Sequence, residues 1–402
     1  MISGGGTGGH VYPILAVTGR LVNWETGKLV NRETGKSGTQ STNLPIYQCT
    51  NLPVYQSTNF LYVGSRGGVE EGIVGREGLP FAAISTGGLR GLAPWTLTRN
   101  LLKMMAGFRQ SLRIVRDFSP DVVLVTGGYV CAPVAVAAWL FRVPLLVLLP
   151  DLQPGLAVWA LSRLATRVAV SFPEVAKYFA RDKVVAVGYP VRAEFFAINK
   201  AEARKAFGLE EGLKTITVFG GSRGAHSINL ALSQCLERLL EVCQVIHICG
   251  QLDAEWVMER RGQLPHRLQR RYRAYPYLYQ EMPSALAAAD LVVARAGAAT
   301  LGEFPALGLP SILVPYPHAG RHQELNADYL VSRGAAVRIA DAQLGEKLLP
   351  TILELLSFGE VMAGMSQRAR ALARPDAAQR IAEELEQMGR SRSPQRDRKL
   401  SP

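Results

Sequence analysis

Nine short apolar runs, FLYVG, PFAAIS, DVVLVTGG, PLLVLLP, RVAVSF, TITVFGG, QVIHICG, DLVVARAG and PSILVPY, alternate with helix-competent stretches along most of this chain. Runs that are apolar throughout belong to strands buried on both faces, and helices between them predict parallel sheets covered on both sides. The rhythm breaks once, at VGYPVRAEFFAINK, which brings Pro190 and a cluster of aromatic residues. The fold class expected is therefore α/β, with two Rossmann-like domains facing an interdomain cleft: residues 1–187, a linker 188–200, and residues 201–388.

Each half carries a glycine loop placed after a strand and before a helix. The first is ISGGGTGGHVYP, from Gly4 to Gly9; the second is FGGSRGAHSINLAL, from Gly220 to Gly224. Glycine in this position lets a phosphate approach the amide groups at a helix N-terminus, so a phosphorylated ligand is the first expectation. A dinucleotide is less suited, because no acidic residue stands about 20 positions after the first loop, and no Walker Gly-Lys-Ser/Thr sequence is present.

Composition narrows the class. Hydrophobic residues make up 48% of the 402 and charged residues 19%, as in a folded globular protein. Five cysteines form no CxxC pair and leave an odd number, which argues against a disulfide framework or zinc ribbon and for a reducing cytoplasm. The glycine loop begins three residues into the chain, so no secretory leader is expected. The most apolar stretch, 122–150, holds one charge, Arg142. It is interrupted by Gly127, Gly128, Pro133 and Pro144, and reads as strand, turn, helix and strand rather than a membrane span. A net charge of +12 calls for an anionic partner: nucleic acid, a membrane surface or an anionic substrate.

Two segments fall outside the rhythm. Residues 24–59 contain the near-duplicates ETGKLVNRETGK and TNLPIYQCTNLPVYQSTN and read as a disordered surface insertion, while the basic residues 389–402 read as a disordered tail. The first strand, with only Met1, Ile2 and Ser3 ahead of its loop, is short against the usual length of about 5.

Taken together, GGGTGGHVYP, TGGYVCAP (126–133), GYPVR (188–192), GGSRGA (220–225), ARAGAATLGEFPALGLPSILVPYP (294–317) and RHQELNA (321–327) occur in the order seen in the MurG family of bacterial peptidoglycan glycosyltransferases, which the chain resembles over nearly its whole length. The resemblance implies a GT-B fold and an inverting transfer of N-acetylglucosamine from UDP-N-acetylglucosamine to lipid I, giving lipid II. It needs no metal or cofactor and no nucleic-acid partner, and it places the protein peripherally on the anionic cytoplasmic face of the cell membrane. His318 and His322 are four apart, but no third ligand stands at a metal-site spacing.

On the donor side the resemblance assigns Gly221, Ser222, Arg223 and Gly224 to the diphosphate and Glu303 to the ribose. His322 and Gln323 go to the sugar, with Asn326 one turn on and Ala298 also on the donor side; Arg192 lies near the nucleotide, and the backbone of Tyr279 pairs with uracil. On the acceptor side it assigns Thr7, Gly8 and Gly9, with Gly128 and Tyr129 opposite. His10 is the candidate general base, its pKa range suiting proton removal near neutrality. One departure stands out: where the family carries His-Glu-Gln-Asn before Pro-Gly-Leu-Ala, this chain reads LLPDLQPGLA. Asp151 takes the asparagine's place and is a second candidate base. A transferase acting on a diacylglycerol-type acceptor and a non-catalytic nucleotide-sugar-binding protein remain alternatives.

From Leu97 a helical wheel sets Leu97, Leu101, Met104, Met105, Phe108, Leu112 and Val115 on one stripe, opposite Arg99, Lys103, Arg109, Arg113 and Arg116. The stripe is expected to pack on a sheet. Leu89, Leu92, Trp95 and Leu102 are left as membrane anchors among cations.

Overall fold

The computed structural model of the chain describes residues 1–34, 60–88, 94–221, 224–317 and 321–400. Two compact units emerge: Met1–Arg192 together with the segment from Asp376 onward, and Ala193–Pro375.

The first unit holds a seven-stranded sheet of β1 (Ile2–Ser3), β2 (Tyr62–Ser65), β3 (Phe81–Ile84), β4 (Val123–Val125), β5 (Leu145–Leu149), β6 (Arg167–Val170) and β7 (Val184–Ala186), in the order β3-β2-β1-β4-β5-β6-β7. Every pairing is parallel. β1 is short but central: Ile2 pairs with Tyr62 on one side and Leu124 on the other. The second unit holds six parallel strands, β8 (Lys214–Phe219), β9 (Cys243–Ile248), β10 (Tyr272–Tyr275), β11 (Leu291–Ala294), β12 (Ser311–Leu313) and β13 (Ala336–Arg338), in the order β10-β9-β8-β11-β12-β13. Both are doubly wound Rossmann-like sheets, and the architecture is GT-B. In each, the strand order reverses once, between β1 and β4 and between β8 and β11. Such a reversal opens a crevice at the carboxyl ends of the strands, where ligands of open α/β sheets bind. The two glycine loops follow β1 and β8.

Residues 122–150 form β4, α4 (Cys131–Leu140) and β5, and every residue of β5 is buried. Three expectations are corrected. The first helix, α1 (Gly8–Thr34), continues through residues 24–34 of the proposed insertion; the remainder, 35–59, lies outside the described residues. Residues 389–400, expected as a disordered tail, extend the helix Ala377–Leu400. That helix belongs to the first unit, not the second, because Ile381, Leu385 and Met388 repeat at helical spacing and are buried with Val11, Ile14 and Val17 of α1.

The helix α3 (Pro94–Phe118) also departs from its expected packing. Its inward face is Gly107, Ser111 and Val115, with a glycine where a side chain would strike the Ser85 carbonyl. Leu97, Leu101 and Met105 are exposed, Met104, Phe108 and Leu112 only half-buried, and Leu102 and Trp95 point outward, Trp95 at 82% exposure. Leu89 and Leu92 lie outside the described residues.

Candidate functional site

In the first unit, the loop from Gly4 leads into α1, which begins at Gly8. Its early glycines are crowded by the protein itself. A Cβ on Gly5 would lie 2.5 Å from Glu70 Oε1, and one on Gly4 would meet Thr126 and Ile14. Gly6 differs: its φ of +85° is open to glycine and costly for other residues, and nothing stands within 4 Å of its outer side. Thr7 is exposed, and its carbonyl accepts the His10 N–H at 3.1 Å.

His10 is half-buried and held from two sides. Thr126 Oγ1 donates to its carbonyl at 2.7 Å, and its ring Nδ1 lies 3.0 Å from the Gly5 carbonyl. A carbonyl only accepts, so Nδ1 carries a proton, and in the neutral ring it is Nε2 that holds the lone pair. That Nε2 faces the turn after β4, where a Cβ on Gly127 would lie 3.2 Å away. Gly127 and Gly128 have φ of +129° and +86°; Gly5 N–H donates to the Gly127 carbonyl at 3.3 Å, and a Cβ on Gly128 would come within 2.5 Å of the Gly5 oxygen. The two loops thus fit only as glycine against glycine. Beneath them Cys131 donates to the Gly127 carbonyl at 2.8 Å; burial pushes its thiol up to about 11, so it is inert as a nucleophile. Tyr129 is 40% exposed. Asp151, half-buried, lies just past β5, the strand next to β4. Arg192 closes the unit, its guanidinium 5.0 Å from the centre of the Tyr12 ring.

Two buried partners of this loop were invisible in the sequence. Tyr62 donates its hydroxyl to the Gly4 carbonyl at 2.7 Å, and burial raises its pKa well above the usual tyrosine range. Glu70, in α2 (Val69–Arg76), is fully buried and accepts from Ser65 N–H at 2.8 Å and Gly6 N–H at 3.3 Å.

In the second unit, Gly220 and Gly224 are crowded by Ala225 and Cys249, whereas Gly221, with φ of +94°, has nothing within 4 Å of its outer side. Ser222 and Arg223 lie outside the described residues. The helix His226–Val242 follows at once, presenting its N-terminal amides and positive dipole end. A polar chain running from the surface inward braces its start: the exposed His226 meets Asp253 at 2.9 Å, Asn229 donates to Asp253 at 2.7 Å and to the Cys249 carbonyl at 2.8 Å, and buried His247 bonds Asn229 and Tyr272. Burial lowers the His247 pKa to about 3, so its ring is neutral.

The loop after β11 leads through Ala298, nearly buried, to the helix Thr300–Leu307, which carries a half-buried Glu303 in its first turn. Arg295 bolts this region together. It pairs with Asp341, donates to Ser227 Oγ at 2.8 Å and to the Val314 carbonyl at 3.3 Å, and lies over Tyr316. A lone arginine among alanines gave no sequence signal of that role. In the helix His322–Ser332, His322 and Gln323 are half-buried, and Gln323 Oε1 accepts the Tyr316 N–H at 2.9 Å. Asn326, by contrast, is 1% exposed and donates to the Ala296 carbonyl at 3.0 Å, which ties it to the loop after β11. Tyr279 is exposed, its ring 4.2 Å from that of Tyr277, and its backbone N–H donates to Glu281 at 3.2 Å.

Comparison with known proteins agrees with this arrangement. The glycosyltransferase family 28 N-terminal domain matches residues 53–170 and the family 28 C-terminal domain residues 215–381. A relative from Roseiflexus sp. is 41% identical over 95% of this chain and 93% of its own length, and one from Listeria monocytogenes is 38% identical over 95% and 97%. Both carry the name UDP-N-acetylglucosamine--N-acetylmuramyl-(pentapeptide) pyrophosphoryl-undecaprenol N-acetylglucosamine transferase. The chain belongs to the MurG family. Among solved structures, that of Acinetobacter baumannii MurG superposes with a TM-score of 0.67 at 25% identity, covering 96% of this chain and 98% of that one. As a MurG-family member the chain is a glycosyltransferase.

Proposed function

We propose that this chain transfers N-acetylglucosamine from UDP-N-acetylglucosamine to undecaprenyl-pyrophosphoryl-N-acetylmuramoyl-pentapeptide, lipid I, releasing UDP and giving lipid II with inversion at the transferred carbon. The observation that carries the mechanism is the state of His10, with Nδ1–H committed to the Gly5 carbonyl and Nε2 left as an acceptor. The acceptor's sugar hydroxyl gives its proton to Nε2 while its oxygen bonds to the anomeric carbon of the donor. The bond from that carbon to UDP breaks, and its electron pair leaves with the diphosphate. Thr7, Gly8 and Gly9 line the acceptor's diphosphate, with Gly128 and Tyr129 on the facing turn.

The second domain handles the leaving charge. The diphosphate rests on Gly221, Ser222, Arg223 and Gly224 at the positive end of the helix His226–Val242, where amides stabilise the departing anion. Glu303 accepts from the ribose hydroxyls, and Arg192 serves the nucleotide. Because Gln323 spends its oxygen on Tyr316, its amide NH2 is the part offered to the sugar, beside His322 and Ala298. Uracil takes the Tyr279 N–H in exchange for Glu281.

The lipid acceptor is met at the cytoplasmic membrane face. Among the described residues no single helix is long and apolar enough to cross a membrane. Trp95, Leu101, Leu102 and Met105 are exposed among Arg99, Lys103 and Arg109 on α3, and Trp139, Leu140 and Phe141 are exposed at the end of α4, which packs against it. Apolar anchors ringed by cations suit an anionic bilayer. Radiolabel from UDP-N-acetylglucosamine should appear in a lipid I analogue. Label entering diacylglycerol and not the lipid I analogue would overturn the acceptor assignment, and label entering neither would overturn transfer itself.

A further inference from the structure

The His10 ring and a buried carboxylate are joined by a single peptide group. His10 Nδ1–H donates to the Gly5 carbonyl at 3.0 Å, and the N–H of that same peptide, on Gly6, donates to Glu70 Oε2 at 3.3 Å. Glu70 Oε1 takes the Ser65 N–H at 2.8 Å. Among the described residues no lysine or arginine forms an ion pair with this fully buried carboxylate, so backbone amides carry its charge. The surrounding chain is shaped to admit it: a Cβ on Gly5, Gly64 or Gly68 would lie 2.5, 2.9 or 2.6 Å from the Glu70 side chain. Gly5 and Gly68, on two different loops, both leave room for the carboxylate itself, and Gly64 leaves room for its Cγ beside the Phe81 ring, which marks a built position rather than a chance burial.

We propose that Glu70 is a positioning residue for the transfer reaction, acting on His10 through the Gly5–Gly6 peptide. A carboxylate drawing on the Gly6 N–H polarises that peptide and makes the Gly5 oxygen a stronger acceptor. The stronger bond holds His10 in the Nδ1–H tautomer and steadies the imidazolium formed when Nε2 takes the hydroxyl proton. This is the logic of a carboxylate behind a catalytic histidine, with one peptide interposed. It rests on the reading of His10 as the base, and the competing reading is a brace that merely keeps the loop folded.

Glu70→Gln keeps the side chain's size but replaces one acceptor oxygen with an NH2 group facing an amide. With UDP-N-acetylglucosamine and a lipid I analogue, kcat should fall about tenfold to a hundredfold while the donor KM stays within about twofold. In a His10→Ala background the same change should cost nothing further. An undiminished kcat in Glu70→Gln, alongside a large loss in His10→Ala, overturns the relay and leaves the base intact. An equal loss in both backgrounds reduces Glu70 to a brace. Retention of kcat by His10→Ala is a different failure, that of the base assignment itself. Should Glu70→Gln not fold, nitrogen-15 NMR of the unaltered protein decides. The Gly6 amide resonance should move as His10 titrates, and a Gly6 amide indifferent to that titration contradicts the proposal.

Discussion

The two glycine loops occupy the same topological place in their sheets, after β1 and after β8, yet they are built for different tasks. In the first, Gly4 and Gly5 are small because Thr126, Ile14 and Glu70 already fill the space, and Gly128 is small because the Gly5 carbonyl does. The loop ends in His10, whose ring is tied back to the same backbone. In the second, Gly220 and Gly224 are crowded in the same way and Gly221, like Gly6 of the first, faces open space, here at the head of a helix seventeen residues long, while Arg295 is spent on holding loops together. The first loop fixes a proton acceptor; the second presents a dipole and amides. A glycine run is therefore not by itself a sign of ligand approach, because the protein's own packing can demand it.

Moving one methyl group between the loops sharpens this contrast. Gly5→Ala drives a Cβ against Glu70 Oε1 and Val130, and it should lower kcat by about a hundredfold or more by displacing the His10 carbonyl partner. Gly221→Ala meets no atom but must hold φ of +94°, a strain of roughly 1–2 kcal/mol, and should act chiefly on the donor KM. Kinetics of both variants, with melting curves beside them, test the assignment; the opposite pattern would exchange the roles of the loops. A smaller effect is expected at the α3 surface. Trp95→Ser with Leu101→Ser should reduce flotation with anionic liposomes several-fold, without slowing turnover of a short-chain acceptor. Flotation equal to that of the unaltered protein would move the membrane face elsewhere.

A separate effect concerns stability. His247 is neutral in the folded state, with its pKa lowered by burial to about 3, whereas an unfolded histidine titrates near 6.5. Between these values the unfolded chain binds a proton that the folded one does not, so its contribution is complete above about pH 6.5 and is lost as pH falls towards 3. Denaturant unfolding across that window should show a shallower acid loss in His247→Asn than in the parent. Equal slopes would mean that His247 is protonated inside the fold.

Much of the fold was legible because strands buried on both faces leave uninterrupted apolar runs: LLVLL of β5 reads as interior and is wholly buried. The two glycine loops were legible as strand-to-helix turns, since each stands between an apolar run and a helix-competent stretch. Glu70 was not. A glutamate in the first turn of a short helix reads as a solvated charge, and its burial depends on Gly5, more than sixty residues away, as well as on the nearby Gly64 and Gly68. The stripe on α3 was identified with the wrong face inward, because spacing finds an apolar face but cannot rank it against Gly107 and Ser111, where the close approach occurs. The return of Ile381, Leu385 and Met388 to the first domain was hidden by the basic residues that follow them.

The most direct test of the division of labour is a paired measurement of kcat and donor KM for His10→Ala and Glu303→Ala. A base acts in the transition state, so His10→Ala should lose about a hundredfold or more in kcat with the donor KM nearly unchanged. Hydrogen bonds to a carboxylate are worth roughly 1.5–3 kcal/mol, so Glu303→Ala should raise the donor KM about tenfold or more. A His10→Ala enzyme that keeps most of its kcat would contradict the account and move proton removal to Asp151, the other carboxyl-end candidate, past β5.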